Sequence, residues 1–171
     1  MISQPSDTVA YALGRLGLPR PSWKTLVVSA TRDLDLPPDR IWSTWSRLES
    51  WPEWSTPLHE ATRWTGTPGW TAGATFEQTL RLGFPVGRSV NAVTVGVAEP
   101  GRMVSWWNTE GSMRSCHVWG FSPLAQERTR VTDTEVFDGV LIGLLKPLLR
   151  GSWQRRFEAS VAGLARATAG D

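Results

Sequence analysis

Apolar positions change their spacing several times along this chain, and each change predicts an element. Residues Thr8 to Leu16 predict a short helix, with Ser6 or Asp7 placed as its N-cap and Gly17 and the Pro19/Pro21 pair ending it. From Trp23 to Leu36 the chain reads as extended, because Lys24-Thr-Leu-Val-Val-Ser-Ala-Thr31 is rich in β-branched residues and carries no helix cap. Pro37-Pro38-Asp39 then opens a helix in which Ile41, Trp42, Trp45 and Leu48 share one face of a 3.6-residue period. Pro52, within Trp51-Pro-Glu-Trp54, interrupts it and leaves a second small helical turn before Pro57.

Beyond that point turn chemistry punctuates the chain. The strands predicted are His59 to Thr65, Ala74 to Leu82, Gly87 to Ala98, Arg102 to Thr109, Met113 to Phe121 and Arg128 to Phe137. Gly66-Thr-Pro-Gly69, Gly83-Phe-Pro85, Glu99-Pro-Gly101, Glu110-Gly111 and Pro123 to Gln126 separate them as tight turns. Short strands joined by tight turns make an antiparallel meander. The chain closes with the apolar run Val140 to Leu149 and a helix to about Thr168, on which Leu149, Trp153, Phe157, Val161 and Leu164 recur at helical spacing. Pro147 belongs in an early turn of that helix or marks a kink. The run reads as the buried start of the helix, with a mobile gate that touches membrane as the lesser alternative.

The predicted architecture is α+β: a curved antiparallel sheet of about seven strands wrapped on a long C-terminal helix, with two short helices after the first strand. The sheet must bury its apolar face, and the last helix is the only large element able to cover it. A bent sheet and one straight helix leave space between them, so a cavity is expected there.

Composition adds to this picture mainly through tryptophan, of which there are eleven among 171 residues, against five Phe and one Tyr. A chain of this length is about one domain. Its net charge is only +2, with the two signs interspersed, so nucleic-acid binding is not expected. Arg outnumbers Lys sixteen to two, a pattern of GC-rich bacterial genomes. The single Cys116 rules out an internal disulfide and fits a reducing compartment. No apolar run approaches the roughly 18 residues of a membrane span, and residues 1–18 lack the long apolar core of a signal peptide. A cytoplasmic protein with no stable membrane insertion is expected, its oligomeric state left open.

Three stretches together resemble the START-type helix-grip (SRPBCC) superfamily, in its polyketide cyclase/dehydrase-like branch. They are Leu34-Asp-Leu-Pro-Pro-Asp-Arg-Ile-Trp42 with Leu48-Glu-Ser-Trp-Pro-Glu-Trp54, then Pro100-Gly-Arg-Met-Val-Ser-Trp106 with His117-Val-Trp-Gly-Phe121, then Arg130-Val-Thr-Asp-Thr-Glu-Val-Phe-Asp-Gly139 running into the last helix. The order and spacing carry the resemblance, over about residues 23 to 168. It divides the chain into an N-terminal extension, 1–21, and a single START-like ligand-binding domain, 22–171. It implies a hydrophobic-ligand cavity, but the family includes binders, transporters, cyclases and chaperone co-factors, so the fold leaves function open. Trp51 matches the family's cavity-mouth Trp. Where the aromatase/cyclases carry an Arg and a Ser, this chain has Val93 and Val95, which could not hold the enolate oxygens of a poly-ketone.

The candidate chemistry lies on the last two strands. If Pro123 to Gln126 is the turn, His117 stands opposite Asp133 and diagonal to Glu135, within reach of a hydrogen bond. Such a trio is a general acid/base pair in an apolar pocket, an orienting set that anchors polar atoms of a ligand, or a partly solvated cross-strand pair with no role. Cys116 and His117 are adjacent on a strand and point to opposite faces, which excludes a nucleophile/base dyad. Adding His59 gives too few ligands for zinc, and no phosphate or dinucleotide motif occurs, so no metal or cofactor is expected. Trp42 and Trp45 are assigned to the core, and one ring of Trp106/Trp107 to each face of its strand. The expected ligand wall is Trp51, Trp64, Phe76, Gln78, Val93, Val95, Trp119, Phe121, Phe137, Trp153 and Phe157. It suits a lipid or an aromatic, polyketide-like guest. The preferred reading is a non-catalytic binder or carrier; the alternative is a cyclase/dehydrase-type enzyme using His117 with Asp133 or Glu135.

Overall fold

Alternate side chains of each strand point to opposite faces, and strand pairing makes one sheet. A computed structural model describes residues 5–108 and 113–170; the expected Glu110-Gly111 turn lies outside them. The order is α1 (Pro5–Arg15), β1 (Thr25–Leu34), α2 (Pro38–Trp45), a 3₁₀ turn (Leu48–Ser50), α3 (Trp51–Trp54), β2 (His59–Trp64), β3 (Thr75–Gly83), β4 (Gly87–Glu99), β5 (Met103–Asn108), β6 (Arg114–Pro123), β7 (Thr129–Asp138) and α4 (Val140–Gly170). The seven strands form an antiparallel sheet in the order β1-β7-β6-β5-β4-β3-β2. This is the α+β helix-grip architecture that the sequence pattern predicts.

The meander bends because its ladder is interrupted. Register shifts fall between His59 and Ala61, Arg81 and Gly83, and Val95 and Ala98, and such bulges increase local twist. Inside the resulting curve lies α4, 31 residues long and about 46 Å at ~1.5 Å per residue. Ile142, Leu149, Trp153, Phe157, Val161 and Leu164 line its buried side. Gly163 lets α4 meet α3, since a side chain there would overlap the Trp54 carbonyl.

The apolar run at the head of α4 is divided. Ile142 and Leu149 are buried, but Val140, Leu141, Leu144 and Leu148 are exposed. The expectation of a simply buried start is therefore corrected: the sheet covers only one side of the helix, and the run is apolar all round.

On the convex side, α1 forms close to its expected place. Ala12, Leu13 and Leu16 pack on Met103, Cys116, Val118 and Val136. Thr8 Oγ1 lies 2.8 Å from Thr134 Oγ1, Tyr11 Oη lies 3.0 Å from Ser105 Oγ, and the Arg15 guanidinium sits 4.0 Å over the Trp107 ring. Trp106 meanwhile faces inward, so the consecutive rings divide between the faces as their alternation requires.

Candidate functional site

His117 sits near the middle of β6, and strand parity turns it inward with Trp119 and Phe121. Its cross-strand partner is Glu135, with Asp133 diagonal, the reverse of the expected pairing. The turn is longer than Pro123 to Gln126: Pro123 pairs with Thr129, and Gln126 and Glu127 take positive φ between them. A shift of two residues preserves the face, so both carboxylates still reach the ring. His117 Nε2 lies 2.5 Å from Asp133 Oδ1, and Nδ1 lies 3.2 Å from Glu135 Oε2.

All three side chains are buried. Burial alone would lower the His117 pKa, but the charges of Asp133 and Glu135 outweigh it and raise it to about 10. Burial raises the Asp133 carboxyl to about 6, with Glu135 adding to the rise and His117 opposing it. An imidazolium with a carboxylate facing each nitrogen is the arrangement these directions favour. Aromatic rings surround it. The His117 centroid lies 4.4 Å from Trp106, 5.4 Å from Phe157 and 6.3 Å from Trp119.

A second buried histidine faces the same interior and was not among the expected site residues. His59 begins β2, and the curl of the sheet brings it near enough for the His117 charge to act on it. Its Nδ1 lies 2.8 Å from Ser55 Oγ, which lies 2.7 Å from Ser160 Oγ on α4. Burial first, then repulsion by His117, hold its pKa down at about 3, partly offset by the neighbouring Gln78 amide. Only a lone histidine at a strand start marked it in the sequence, and nothing there announced the Ser55–Ser160 relay.

Asp133 Oδ2 and the indole Nε1 atoms of Trp106 and Trp119 lack a hydrogen-bond partner in this interior, whereas the His59 and Gln78 side chains serve each other. Buried polar groups without partners are rare in folded proteins, and each asks for a donor or acceptor from outside the chain.

The remaining expected residues fall into two groups. Trp51, Phe76, Val93 and Val95 are buried, with Trp64 half-buried, around Trp70 and Trp106. Sequence reasoning misses Trp70 because it comes from the loop after β2, where periodicity says nothing. It stacks on Trp51 at 5.7 Å and donates Nε1–H to the Ser46 carbonyl. Phe137 and Trp153 form a separate pair 4.6 Å apart, and Trp153 Nε1 donates to the Leu82 carbonyl rather than toward the histidines. Trp45, assigned to the core, contacts Trp51, Trp70, Trp106, Trp119 and Phe121 and so belongs to the same wall. The space between sheet and α4 is thus lined with rings. A surface recess of about 290 Å³, lined by Glu53, Trp54, Thr56, Gly163, Arg166 and Ala167, opens beside it. Trp54 is 6.2 Å from Trp119, so two rings separate that recess from His117.

A sheet gripping one long helix over an aromatic interior defines a class of ligand-binding folds. Residues 25–169 match the family model described as polyketide cyclase / dehydrase and lipid transport, and the chain belongs to that family. Among solved structures it is similar to TTHA0849 from Thermus thermophilus, at 20% identity and TM-score 0.69 over 85% of this chain and 98% of that one. It is also similar to truncated norcoclaurine synthase from Thalictrum flavum, at 12% identity and TM-score 0.63 over 86% and 95%. The hypothetical protein jhp0584 from Helicobacter pylori matches at 14% identity and TM-score 0.70 over 84% and 88%. These likenesses concern the fold. No curated protein matches the chain. Among the described residues, no helix is long and apolar enough to cross a membrane.

Proposed function

We propose that this protein binds or carries a hydrophobic small molecule, lipid-like or aromatic and polyketide-like, between the sheet and α4. The observation that carries the reading is the set of buried polar atoms without partners, Asp133 Oδ2 and the indole Nε1 atoms of Trp106 and Trp119, inside an aromatic wall. Apolar surroundings supply affinity, and a few placed polar groups orient the guest. An ionised Asp133 accepts and the two indole N–H groups donate, so a guest with hydroxyl groups, which do both, satisfies them best. Val93 and Val95 beside Phe76 and Trp106 favour carbon over enolate oxygen at that end.

A second reading, a cyclase/dehydrase-type enzyme, is favoured by the burial of His117 between Asp133 and Glu135. An imidazole between two buried carboxylates is a general acid/base candidate toward a guest oxygen, its protons held until the guest displaces a carboxylate. Norcoclaurine synthase, which shares the fold, has been crystallised with dopamine and hydroxybenzaldehyde.

Titrating polycyclic phenols and acyl chains while following tryptophan fluorescence tests the first reading. Saturable quenching or a spectral shift is expected, and its absence across the whole set refutes binding. Incubation with a poly-ketone then separates the readings. Binding without product, unchanged in kind by His117→Ala, leaves a carrier; a product peak lost in His117→Ala makes it an enzyme.

A further inference from the structure

Large apolar side chains reach the surface mainly at one end of this molecule. Trp23, Phe84, Val140, Leu141, Leu144 and Leu148 are each more than half exposed. At about 100° per residue, the four on α4 fall within one sector of roughly 100°. That sector lies away from the side on which Ile142, Leu149, Trp153 and Phe157 are buried.

Contacts bring the other two rings to the same end. Trp23 lies against Gly143 so closely that a Cβ there would overlap its ring. Lys146 Nζ donates to the Thr25 carbonyl at 3.0 Å and to the Ser22 carbonyl at 3.5 Å, which ties the segment before β1 to the helix. Phe84 tips the turn between β3 and β4, and the Trp153 bond to Leu82 holds that turn against α4.

Cations predominate around this end. Residues 140–157 include Lys146, Arg150, Arg155 and Arg156 and no acidic residue, and Lys24 adjoins Trp23. Of the neighbouring acids, Asp138 pairs with Arg114 and Glu60 with Arg81 and Arg88, while Glu158 accepts from the neutral Gln154 amide.

We propose that this end docks on an anionic phospholipid surface. Leu144 and Leu148, flanked by Trp23 and Phe84, enter the boundary between headgroups and acyl chains, while Lys24, Arg150 and Arg155 meet lipid phosphates. Apolar residues ringed by cations suit an interfacial helix. A second copy fits poorly, because a two-fold contact through this face would set like charges against each other. The proposal is independent of what the interior binds.

The test is co-sedimentation with phosphatidylcholine vesicles in which roughly one lipid in four is phosphatidylglycerol. The protein is expected to pellet with them, and to do so at least roughly tenfold more weakly with pure phosphatidylcholine or near 1 M salt, where the Debye length falls to about 3 Å. Leu144→Ser/Leu148→Ser, whose side chains are exposed and whose fold is checked by circular dichroism, is expected to weaken partition roughly a hundredfold. Arg150→Gln/Arg155→Gln is expected to reduce the preference for the anionic lipid. No association, equal association with both vesicles, or association that the double Leu variant leaves unchanged overturns the proposal. So does a dimer in sedimentation equilibrium that this variant dissociates without any vesicle binding.

Discussion

Strands β6 and β7 show two opposite chemistries on their two faces. Toward α1 they present Cys116, Val118 and Val136, with Leu13 and Leu16 packed against them. Burial, and then the Glu135 charge, push the Cys116 thiol up to about 12, so it stays a neutral, inert filler. Toward α4 the same strands present His117, Asp133 and Glu135, buried as deeply among rings. Depth therefore does not distinguish the faces; what each buried atom touches does. A fold selected for stability alone would be apolar on both, and buried charge is retained where it serves recognition or chemistry.

Removing one member of the charged set should have the largest effect. Asp133→Ala is expected to cost about 3 to 5 kcal/mol in urea unfolding, because it strands a buried imidazole partner. A cost near zero would make the concave face as indifferent as an ordinary core. On the convex face, Leu13→Ala should cost about 2 to 4 kcal/mol by leaving a cavity, with no change in the pH profile of stability. A pH-dependent loss there would mean that α1 also supports the charged set.

The two buried histidines should give slopes of opposite sign. His117 has its pKa raised from 6.5 to about 10, so its stabilisation is full below pH 6.5 and is lost as pH rises through 10. His59 is lowered from 6.5 to about 3, so its stabilisation is full above pH 6.5 and is lost as pH falls through 3. Asp133, raised from 3.8 to about 6, works against His59 on the acid side. Stability should therefore fall from pH 7 to 9 by up to ~1.4 kcal/mol per unit. Melting curves of His117→Gln should be flat over that window, and an unchanged slope would remove His117 as its source. The smallest change expected is Ser160→Ala, about 1 kcal/mol, which unties Ser55 and His59 from α4 and is best seen as altered ring dynamics of His59 by NMR.

Much of this was legible in residue order. Pro38 opening α2, Pro52 opening α3 and the spacing of Trp153 and Phe157 on α4 are local signals that need no partner to be read. His117, Asp133 and Glu135 fall on one inner face in the sequence pattern because alternation survives a register error of two. The error itself comes from the turn at 124–128, whose positive-φ residues Gln126 and Glu127 carry no glycine to mark them. Trp70 is invisible in the sequence because it acts from a loop, and His59 because its neighbours Ser55 and Ser160 lie on other elements.

Local periodicity and turn residues thus determined the strands, the gripping helix and the inward face of the candidate site, since each depends only on neighbours in the chain. Tertiary structure alone decided the charge states of the two histidines, the set of polar atoms without partners and the exposed apolar end of α4. These depend on which surfaces meet across the curl of the sheet, and burial and electrostatics act between groups far apart in sequence.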